Sequence, residues 1–310
     1  MLFRQLEYFV ALARERHFAR AAAACYVSQP ALSEAIRKLE KELGVALVRR
    51  ERAFEGLTPE GERLVVWARR ILADHDALTQ EVAAIRSGLS GQLRIGVIPA
   101  ASTTVALILE PFCEQHPLVN VQLDTRMPSA DIIERLRRFE LDAGIIYPHG
   151  SDTTGLVPLP LYRERHVLIA ADHLLPSRAD HLTFAEVTQL PLCLLDKSMR
   201  GRQELQDALN AHGLVVTPQV ETDSVAALHA LVGTGRWASV VPHPWSYPFP
   251  QAPGLRTVAI TDPEIVAPVD LVVSAAVPGS VLGRALADAA RQRPLENVPW
   301  RVPAPAGRES

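Results

Sequence analysis

Residues 18–50 carry two short helical patterns with a break between them, and this arrangement constrains the fold more than any other feature of the chain. An alanine-rich helix is predicted first, and it ends at residues 25–28. A second, amphipathic helix is predicted to begin there and to stop before Gly44. Its apolar side chains recur every three to four residues, which is the spacing of a helix that buries one face. The residues of that face are Leu32, Ile36 and Leu39.

The second helix carries signals for its own start. Ser28 is a good amino-terminal cap, and Pro30 fits in a first turn that needs no amide donor. Two short helices joined by a tight turn, the second with a polar outer face, predict a helix-turn-helix, whose second helix fits the DNA major groove. The alternative is a purely structural helical hairpin, which is common in proteins.

A long helix is predicted to follow. Thr58 and Pro59 form a cap and first-turn pair, and nothing interrupts the helical pattern until about Ser87. Apolar residues recur along it in alternating steps of four and three, which is a heptad pattern. Because a helix with one apolar stripe is rarely stable alone, a partner helix is expected. The predicted dimer seam consists of Leu64, Ala68, Ile71, Leu78, Val82 and Ile85, with His75 as a polar member.

The remainder of the chain alternates strand-like and helical segments. The run LRIGVI at residues 93–98 is rich in β-branched residues, and a helical pattern at 106–115 and a second strand pattern at 119–125 follow it. This β-α-β order predicts a parallel sheet. The run SGLSG at residues 87–91 ends the long helix and predicts a flexible joint into this second unit.

Composition limits the class of protein further. A chain of 310 residues suits two or three folding units. The net charge is −3, and residues 1–60 hold ten Lys or Arg against eight Asp or Glu, so non-specific attraction to phosphates is expected to be weak. No secretory signal pattern and no apolar stretch of membrane-spanning length is found, which predicts a cytoplasmic protein without membrane contact. Cys25, Cys113 and Cys193 are widely spaced, so neither a metal site, a cofactor nor a disulfide framework is expected.

Several segments resemble the LysR-type transcriptional regulators, in the order that the family has them, over residues 3–290. FRQLEYFVALARERHFARAA resembles the opening helix pair, VSQPALSEAIRKLEKELGVALVRR the recognition helix and wing, and LTPEGERL the start of the linker helix. GQLRIGVIP, ELDAGII, HGL and ETDSVAALHALVGTG resemble effector-domain segments. The resemblance implies an all-α winged helix-turn-helix domain plus a long linker helix, joined to an α/β effector domain. That domain would comprise two Rossmann-like subdomains, as in periplasmic binding proteins.

The resemblance also implies domain boundaries. A DNA-binding domain is expected at residues 1–58, a linker helix at 59–88 that pairs with its mate in a second subunit, and a hinge at 89–92. The first effector subdomain is expected to comprise residues 93–162 and 265–292, the second residues 163–264, and a flexible tail residues 293–310.

DNA-reading residues follow from the resemblance. It places Gln29, Pro30 and Ser33 at the amino end of the recognition helix, within reach of base edges. Glu34 departs from the family, in which Arg is frequent, so either a cytosine amino group is read or a phosphate contact is lost. Ala53 stands in the wing where a second Arg is usual. Candidates for phosphate or wing contacts, or for an ordinary solvated face, are Arg37, Lys38, Arg49, Arg50 and Arg52.

An effector site is expected at one edge of the sheet. Ligands of such α/β sheets bind beyond the carboxyl ends of strands, at helix amino termini. Hydroxyl groups and an arginine there suit a small anion, above all a carboxylate. Taken singly, each hydroxyl residue is better explained as a helix cap; together they favour a cleft site. The candidates are Ser102, Thr103, Thr104, Ser129, Ser198, Arg200, Arg202, Thr222 and Ser224.

Other side chains near predicted strand ends have two interpretations. Tyr147, His149, His243 and Trp245 either shape the apolar side of the effector site or are ordinary loop residues. Some members of the resembled family sense peroxide through a pair of cysteines near the position of Cys193. No second cysteine lies near Cys193 in this sequence, so a buried thiol is expected.

The expected function is sequence-specific, effector-controlled regulation of transcription. A homodimer, or a homotetramer formed as a dimer of dimers, would bind an imperfect palindrome in double-stranded DNA, and a small-molecule effector would change its geometry and the DNA bend. RNA polymerase is a further expected partner.

Two alternatives remain. A metabolic enzyme would need catalytic residues, and neither GxSxG, HExxH, a P-loop nor GxGxxG after a strand is found. A freestanding solute-binding protein would share the α/β domain, but the helix-turn-helix counts against it.

Overall fold

The computed structural model describes residues 1–50, 54–176, 180–197, 199–246 and 254–295. Three helices and a two-stranded wing form an amino-terminal unit, which a long helix follows. These elements are α1 (Phe3–Glu15), α2 (Phe18–Ala24), α3 (Gln29–Leu43), β1 (Val48–Arg50), β2 (Phe54–Leu57) and α4 (Pro59–Ser87). The predicted winged helix-turn-helix and the long linker helix are confirmed.

The ends of α3 and α4 are fixed by the signals that the sequence carries. The Ser28 hydroxyl accepts the Ala31 amide at 3.4 Å, and α3 ends at Gly44, whose φ of 70° is left-handed and favours glycine. The Thr58 hydroxyl accepts the Gly61 amide at 2.9 Å and donates to the Ala46 carbonyl at 2.7 Å. That hydroxyl therefore caps α4 and ties its start to the segment leading into the wing.

The apolar stripe of α3 forms the centre of the DNA-binding core, where Leu32, Ile36 and Leu39 are fully buried. The linker helix belongs to the same core, because Val65 and Ala68 are buried in it. Gly61 permits this close approach, since a Cβ at that position would collide with the backbone carbonyl of Leu47. The first half of α4 is therefore part of the DNA-binding unit.

The predicted heptad seam divides into two parts in the structure. Ala68 is 0% exposed within its own chain, with Leu64 and Ile71 packed around the same core. These three residues contact their own domain, so the assignment of Ala68 to a partner-facing stripe is corrected. Heptad spacing alone cannot tell an intramolecular neighbour from a partner helix.

The second half of α4 carries an apolar surface that its own chain does not cover. Leu78 is 64% exposed and Ile85 is 86% exposed, and Val82 lies between them. Trp67, also exposed, lies eleven residues before Leu78 and therefore on the same side of the helix. We call these four residues the α4 stripe.

Other side chains of α4 contact the effector domain. Arg69 forms an ion pair with Glu140 at 2.9 Å, and Glu81 forms one with Arg284 at 3.1 Å. Ala77 is buried between these two contacts. The linker helix therefore joins the DNA-binding core on one side and the first effector subdomain on another.

The effector domain has mixed strands and flanking helices. Strand β3 begins within the predicted hinge 89–92, so the joint is short. The elements are β3 (Ser90–Val97), α5 (Val105–Gln115), β4 (Leu118–Asp124), α6 (Ser129–Arg137), β5 (Ala143–Ile146), β6 (Leu156–Ala171), β7 (His181–Thr183), α7 (Phe184–Val187), β8 (Cys193–Leu195), α8 (Arg200–Ala211), β9 (Val220–Thr222), α9 (Val225–Gly233), β10 (Ser239–Pro242), β11 (Leu255–Thr261), β12 (Val266–Ser274) and α10 (Val281–Gln292).

An eight-stranded sheet runs through both subdomains in the order β4-β3-β5-β12-β6-β11-β7, with β10 also paired to β6. Strands β3, β4 and β5 are parallel, as predicted, whereas β12 is antiparallel to β5 and β6. Strands β8 and β9 form a separate parallel pair.

Strand β6 connects the subdomains. Its residues up to Arg165 pair with β12, and residues 167–171 pair with β11. The chain returns through residues 262–265, between β11 and β12. Each subdomain has its own core, one around Phe112 and Ile132 and the other around Phe184 and Leu209. The predicted two-subdomain α/β class is confirmed.

Residues 296–310, most of the predicted flexible tail, lie outside the described residues. In the ranges that the structure describes, no helix combines the length and apolar character needed to cross a membrane.

The α4 stripe generates a prediction about self-association. Replacing Ile85 with Glu, which is a good helix former, preserves the helix and places a charge on the exposed apolar surface. We expect sedimentation velocity to show a shift from a dimer to a monomer. In a separate thermal melt, the variant should unfold with the midpoint of the folded monomer. Val215→Glu is the control, because Val215 is 77% exposed and lies away from the helix. Unchanged sedimentation of Ile85→Glu would contradict the assigned surface.

Candidate DNA interface and effector cleft

The face of α3 opposite its buried stripe is open to solvent. Gln29 and Pro30 are exposed at its amino end, and Ser33 is half-buried one turn later. Burial of the apolar stripe determines which way this face points, and the Ser28 cap determines where it starts. The predicted base-reading residues therefore lie together at the free end of the helix, where a recognition helix meets base edges.

An ion pair occupies the middle of this face. The Arg37 guanidinium lies 3.2 Å from the Glu34 carboxylate, and both side chains are exposed. Exposed pairs of this kind contribute little to stability, so DNA can displace them. While the pair exists, Glu34 offsets the charge that Arg37 would offer to a phosphate. Lys38 is exposed beside it and has no such partner among the described residues.

The wing presents one described cation. Arg49 is exposed on β1 and lies opposite Gly56 of β2, and its guanidinium crosses the space that a side chain at Gly56 would fill. The predicted residues Arg52 and Ala53 lie outside the described residues, as does the side chain of Arg50.

A small cavity lies between the two effector subdomains. Its volume is about 30 Å³, room for one or two water molecules. It is lined by Pro99, Ala100, His166, Leu195, Met199, Gly201, Arg202, Leu205, Val240, Pro242 and Trp245. Pro99 and Ala100 follow β3 in the first subdomain, and the others belong to the second subdomain or to strand β6, which connects the two. The cavity is therefore the closed cleft between the subdomains.

Arg202 is the charged residue of this cavity. It is 2% exposed, and its Nη1 donates to the Gln206 side chain at 2.7 Å. Its Nε and Nη2 are buried and have no hydrogen-bond partner among the described residues. Burial lowers the pKa of Arg202, the nearby Glu221 carboxylate acts in the opposite direction, and an arginine remains charged at neutral pH.

The position of Arg202 on its helix adds a second unfavourable term. It lies in the first turn of α8, where the helix dipole repels a cation. An anion at this point would be attracted both by the guanidinium and by the helix amino terminus.

The hydroxyl residues of the turn before α5 differ in their freedom to bind a ligand. Thr104 donates to the Ala101 carbonyl at 3.0 Å and contacts the Tyr162 hydroxyl at 3.2 Å, so its proton is already used. The Thr103 hydroxyl is buried and has no partner among the described residues, and Ser102 is half-buried. None of the three lines the cavity in this conformation.

Three other predicted hydroxyls accept backbone amides. Ser129 accepts from Tyr147 at 3.1 Å, Ser224 from Ala227 at 3.2 Å, and Thr222 accepts the Ser224 amide at 3.1 Å. Each retains its own proton for another acceptor.

The structure does not describe the side chains of two predicted effector-site residues near the start of α8. Ser198 lies outside the described residues, and so does the side chain of Arg200.

Sequence reasoning missed a buried polar layer beside the cleft. The Tyr147 hydroxyl donates to Glu164 at 2.8 Å, and Glu164 is fully buried on β6. The run RERH at residues 163–166 was the available signal, because charged residues are unusual in a strand that both subdomains cover. Across the cleft, the Trp245 indole donates to the Ala100 carbonyl at 2.7 Å, which holds the subdomains together.

Two buried histidines border the same layer. Burial lowers the pKa of His166 and of His243 to about 4 each. The Nδ1 of His243 accepts the Arg165 amide at 2.9 Å, whereas the Nδ1 of His166 has no partner within the described part of the chain. Both rings are therefore neutral at pH 7.

The three cysteines are free. Cys193 is buried, and burial raises the pKa of its thiol, which opposes formation of the reactive thiolate. Cys113 is exposed, and Cys25 lies in the DNA-binding unit.

The two architectural units match two parts of one family. Residues 3–62 match the bacterial regulatory helix-turn-helix protein family, lysR type, and residues 86–294 match the LysR substrate binding domain. The chain belongs to the LysR family of DNA-binding transcriptional regulators, whose members carry a small-molecule-binding domain.

Particular relatives include regulators of the peroxide response. The chain is 33% identical to a probable hydrogen peroxide-inducible genes activator of Streptomyces viridosporus, over 77% of each chain. It is 30% identical to the DNA-binding transcriptional dual regulator OxyR of Escherichia coli, over 78% of this chain and 79% of that one. It is also 30% identical to the uncharacterized regulator YnfL of Escherichia coli, over 87% and 91%.

Solved structures share the whole architecture. Full-length OxyR from Pseudomonas aeruginosa, a variant, superposes with a TM-score of 0.73 at 26% identity, over 100% of this chain and 99% of that one. The regulator CbnR complexed with its target DNA has the same fold, with a TM-score of 0.62 at 23% identity over 94% and 99%.

The Glu34–Arg37 pair generates a prediction about DNA affinity. Glu34→Gln removes a negative charge from the DNA-facing side and releases Arg37. We expect DNA affinity to rise about threefold to tenfold at low salt, and the gain to shrink as salt is added. Electrophoretic mobility shifts on the region upstream of the gene provide the measurement, with Glu114→Gln in the effector domain as the control. A loss of affinity would mean that Glu34 reads a base.

The buried histidines generate a prediction about pH. The pKa of each histidine in the folded protein lies below its value in the unfolded chain. These histidines therefore do not reduce the free energy of unfolding above about pH 6.5, and they lower it progressively as the pH falls toward 4. The loss is about 1.4 kcal/mol per pH unit for each histidine. His243→Asn retains an acceptor for the Arg165 amide but does not titrate. The free energy of unfolding of this variant, measured by urea melts between pH 6 and 4.5, should therefore fall less steeply with decreasing pH than that of the wild type. His212→Asn, at an exposed site, is the control; an identical slope in His243→Asn would contradict the assignment.

Proposed function

We propose that the chain is an effector-controlled regulator whose effector is a small carboxylate bound by Arg202 in the cleft. The observation that carries the proposal is the buried guanidinium with two unpaired donors on one edge. Effector binding, rather than catalysis, is the role of this cleft.

The free edge of Arg202 has the geometry that a carboxylate matches. Nε and Nη2 point the same way, so they can donate two parallel hydrogen bonds to two carboxylate oxygens. Burying a cation without a contacting anion costs several kcal/mol. Glu221 offsets less than the whole desolvation effect on Arg202, and an anion hydrogen-bonded to Nε and Nη2 would offset it further. The first turn of α8 adds its own amide donors.

The rest of the cavity selects for an apolar body on the effector. Leu195, Leu205, Val240 and Trp245 form apolar walls around the arginine. Because the volume is only about 30 Å³, any effector larger than a few atoms requires the subdomains to separate. Binding therefore favours a more open cleft, which is a shift between two populations of the effector domain.

The predicted hydroxyl residues are secondary candidates in this proposal. Ser102 and Thr103 become available when the cleft opens, because they follow β3 at its rim. Ser129, Thr222 and Ser224 each keep a proton to donate. Ser198 and Arg200 remain predicted members of the site.

Regulation requires assembly, for which we propose pairing of the α4 stripe with a second copy. A dimer would present two recognition helices to an imperfect palindrome, and a dimer of dimers would let cleft opening change the DNA bend. RNA polymerase is the proposed downstream partner, and the cytoplasm, where DNA is accessible, the proposed location.

Peroxide sensing, which the names of several relatives suggest, is less well supported for this chain. Cys193 is fully buried with a raised thiol pKa, and Cys113 belongs to the other subdomain. No pair of these cysteines is joined.

The carboxylate site generates a test by thermal shift. Small aliphatic and aromatic carboxylates, each beside its neutral amide, are added to the full-length protein. We expect one class of carboxylate, and not its amide, to raise the midpoint of unfolding by several degrees.

Arg202→Met supplies the matched variant. It removes a buried charge that has two N–H groups without hydrogen-bond partners among the described residues, so its ligand-free midpoint should equal or exceed that of the wild type, while its response to the carboxylate disappears. Arg126→Met, at an exposed site, should respond normally. An equal response from Arg202→Met and the wild type would place the ligand elsewhere.

A further inference from the structure

Tyr26 has an unusual backbone conformation in the turn between α2 and α3. Its φ is 56°, in the left-handed region that favours glycine and asparagine. The conformation is part of a hydrogen-bonded turn, because the Tyr26 amide donates to Ala23 at 3.1 Å and the Val27 amide to Ala22 at 3.0 Å. An aromatic residue is therefore present where a smaller one would fold more easily.

Packing does not explain the choice of residue. Tyr26 is 96% exposed, so its ring contributes almost nothing to the core of the domain. A disfavoured backbone with an exposed aromatic side chain is a combination that folding alone does not require. Such outliers concentrate at functional sites.

The location of Tyr26 points to DNA. It lies two residues before Ser28, the cap of the recognition helix α3. That end of the helix enters the major groove, so a side chain extending from the preceding turn lies where the sugar-phosphate strand passes.

Charged side chains near this turn have oppositely charged neighbours, so a neutral hydrogen-bond donor can add a contact to DNA. Tyr26 lines a surface depression together with Arg4 and Glu7, which carry opposite charges. Elsewhere in the domain, Arg14 is paired with Glu15 at 2.9 Å, as Arg37 is with Glu34. Hydroxyl groups are common donors to phosphates in such interfaces.

We propose that Tyr26 is a DNA-contact residue whose phenol donates a hydrogen bond to a backbone phosphate beside the recognition helix. The contact positions α3 in the groove and carries no base sequence information. Because the phenol is neutral, it strengthens binding without releasing counterions from the DNA.

The test uses Tyr26→Asn and Tyr26→Phe in the full-length protein. Asparagine accepts the left-handed backbone readily, so Tyr26→Asn should keep or raise the midpoint of thermal unfolding. Tyr26→Phe keeps the ring and removes only the hydroxyl. Fluorescence anisotropy measures affinity for a labelled duplex from upstream of the protein's own gene and for a scrambled duplex of equal length.

We expect both variants to bind both duplexes about fivefold or more weakly, with an unchanged slope of affinity against salt concentration. Arg37→Ala is the comparison, because losing a charged contact to phosphate makes that slope shallower. Wild-type affinity in both variants would overturn the proposal. A loss confined to the upstream duplex would also overturn it, since that result means base reading.

Discussion

Two neighbouring residues on helix α4 connect the parts of this molecule. Ala68 is fully buried in the DNA-binding core, and Arg69, one residue later, pairs with Glu140 of the effector domain at 2.9 Å. The helix cannot tilt against the effector domain without carrying the recognition helix with it, because Gly61 seats it directly on the Leu47 carbonyl. Any change in the angle between helix and effector domain therefore reaches the DNA-facing surface, and in the proposed dimer the exposed α4 stripe would pass it to a second subunit.

A second constraint lies in the effector domain, in the cleft between its subdomains. Arg202 is held charged, buried and in the first turn of a helix, three conditions that an anion satisfies together. The Trp245 indole closes the cleft on the Ala100 carbonyl, and the neutral His166 adds no competing charge. In the proposed function, an anion that enters the closed cleft beside Arg202 would require the Trp245 contact to open, which would link occupancy of the site to the shape of the domain.

Local signals allowed much of the fold to be predicted from the sequence. The stripe Leu32, Ile36 and Leu39, with the Ser28 cap, predicts α3 correctly because neighbouring residues determine it. Tertiary neighbours decide the rest. The heptad pattern could not reveal that Ala68 faces its own domain, and the polar run RERH obscures the 16-residue strand β6 that contains it. Arg202 was predicted as a charge partner by its place after a strand. The run RERH signals a buried charge at Glu164 but not its Tyr147 partner, and the left-handed backbone of Tyr26 depends on turn contacts that no spacing encodes.

A crystal structure of the full-length protein, grown with the carboxylate that raises its unfolding midpoint most, tests directly whether a carboxylate on Arg202 opens the cleft. We expect carboxylate oxygens within hydrogen-bond distance of Arg202 Nε and Nη2, and separation of the Trp245 indole from the Ala100 carbonyl beyond the present 2.7 Å. A ligand bound away from Arg202, or a cleft that stays closed around it, would show that Arg202 does not control the cleft in this way.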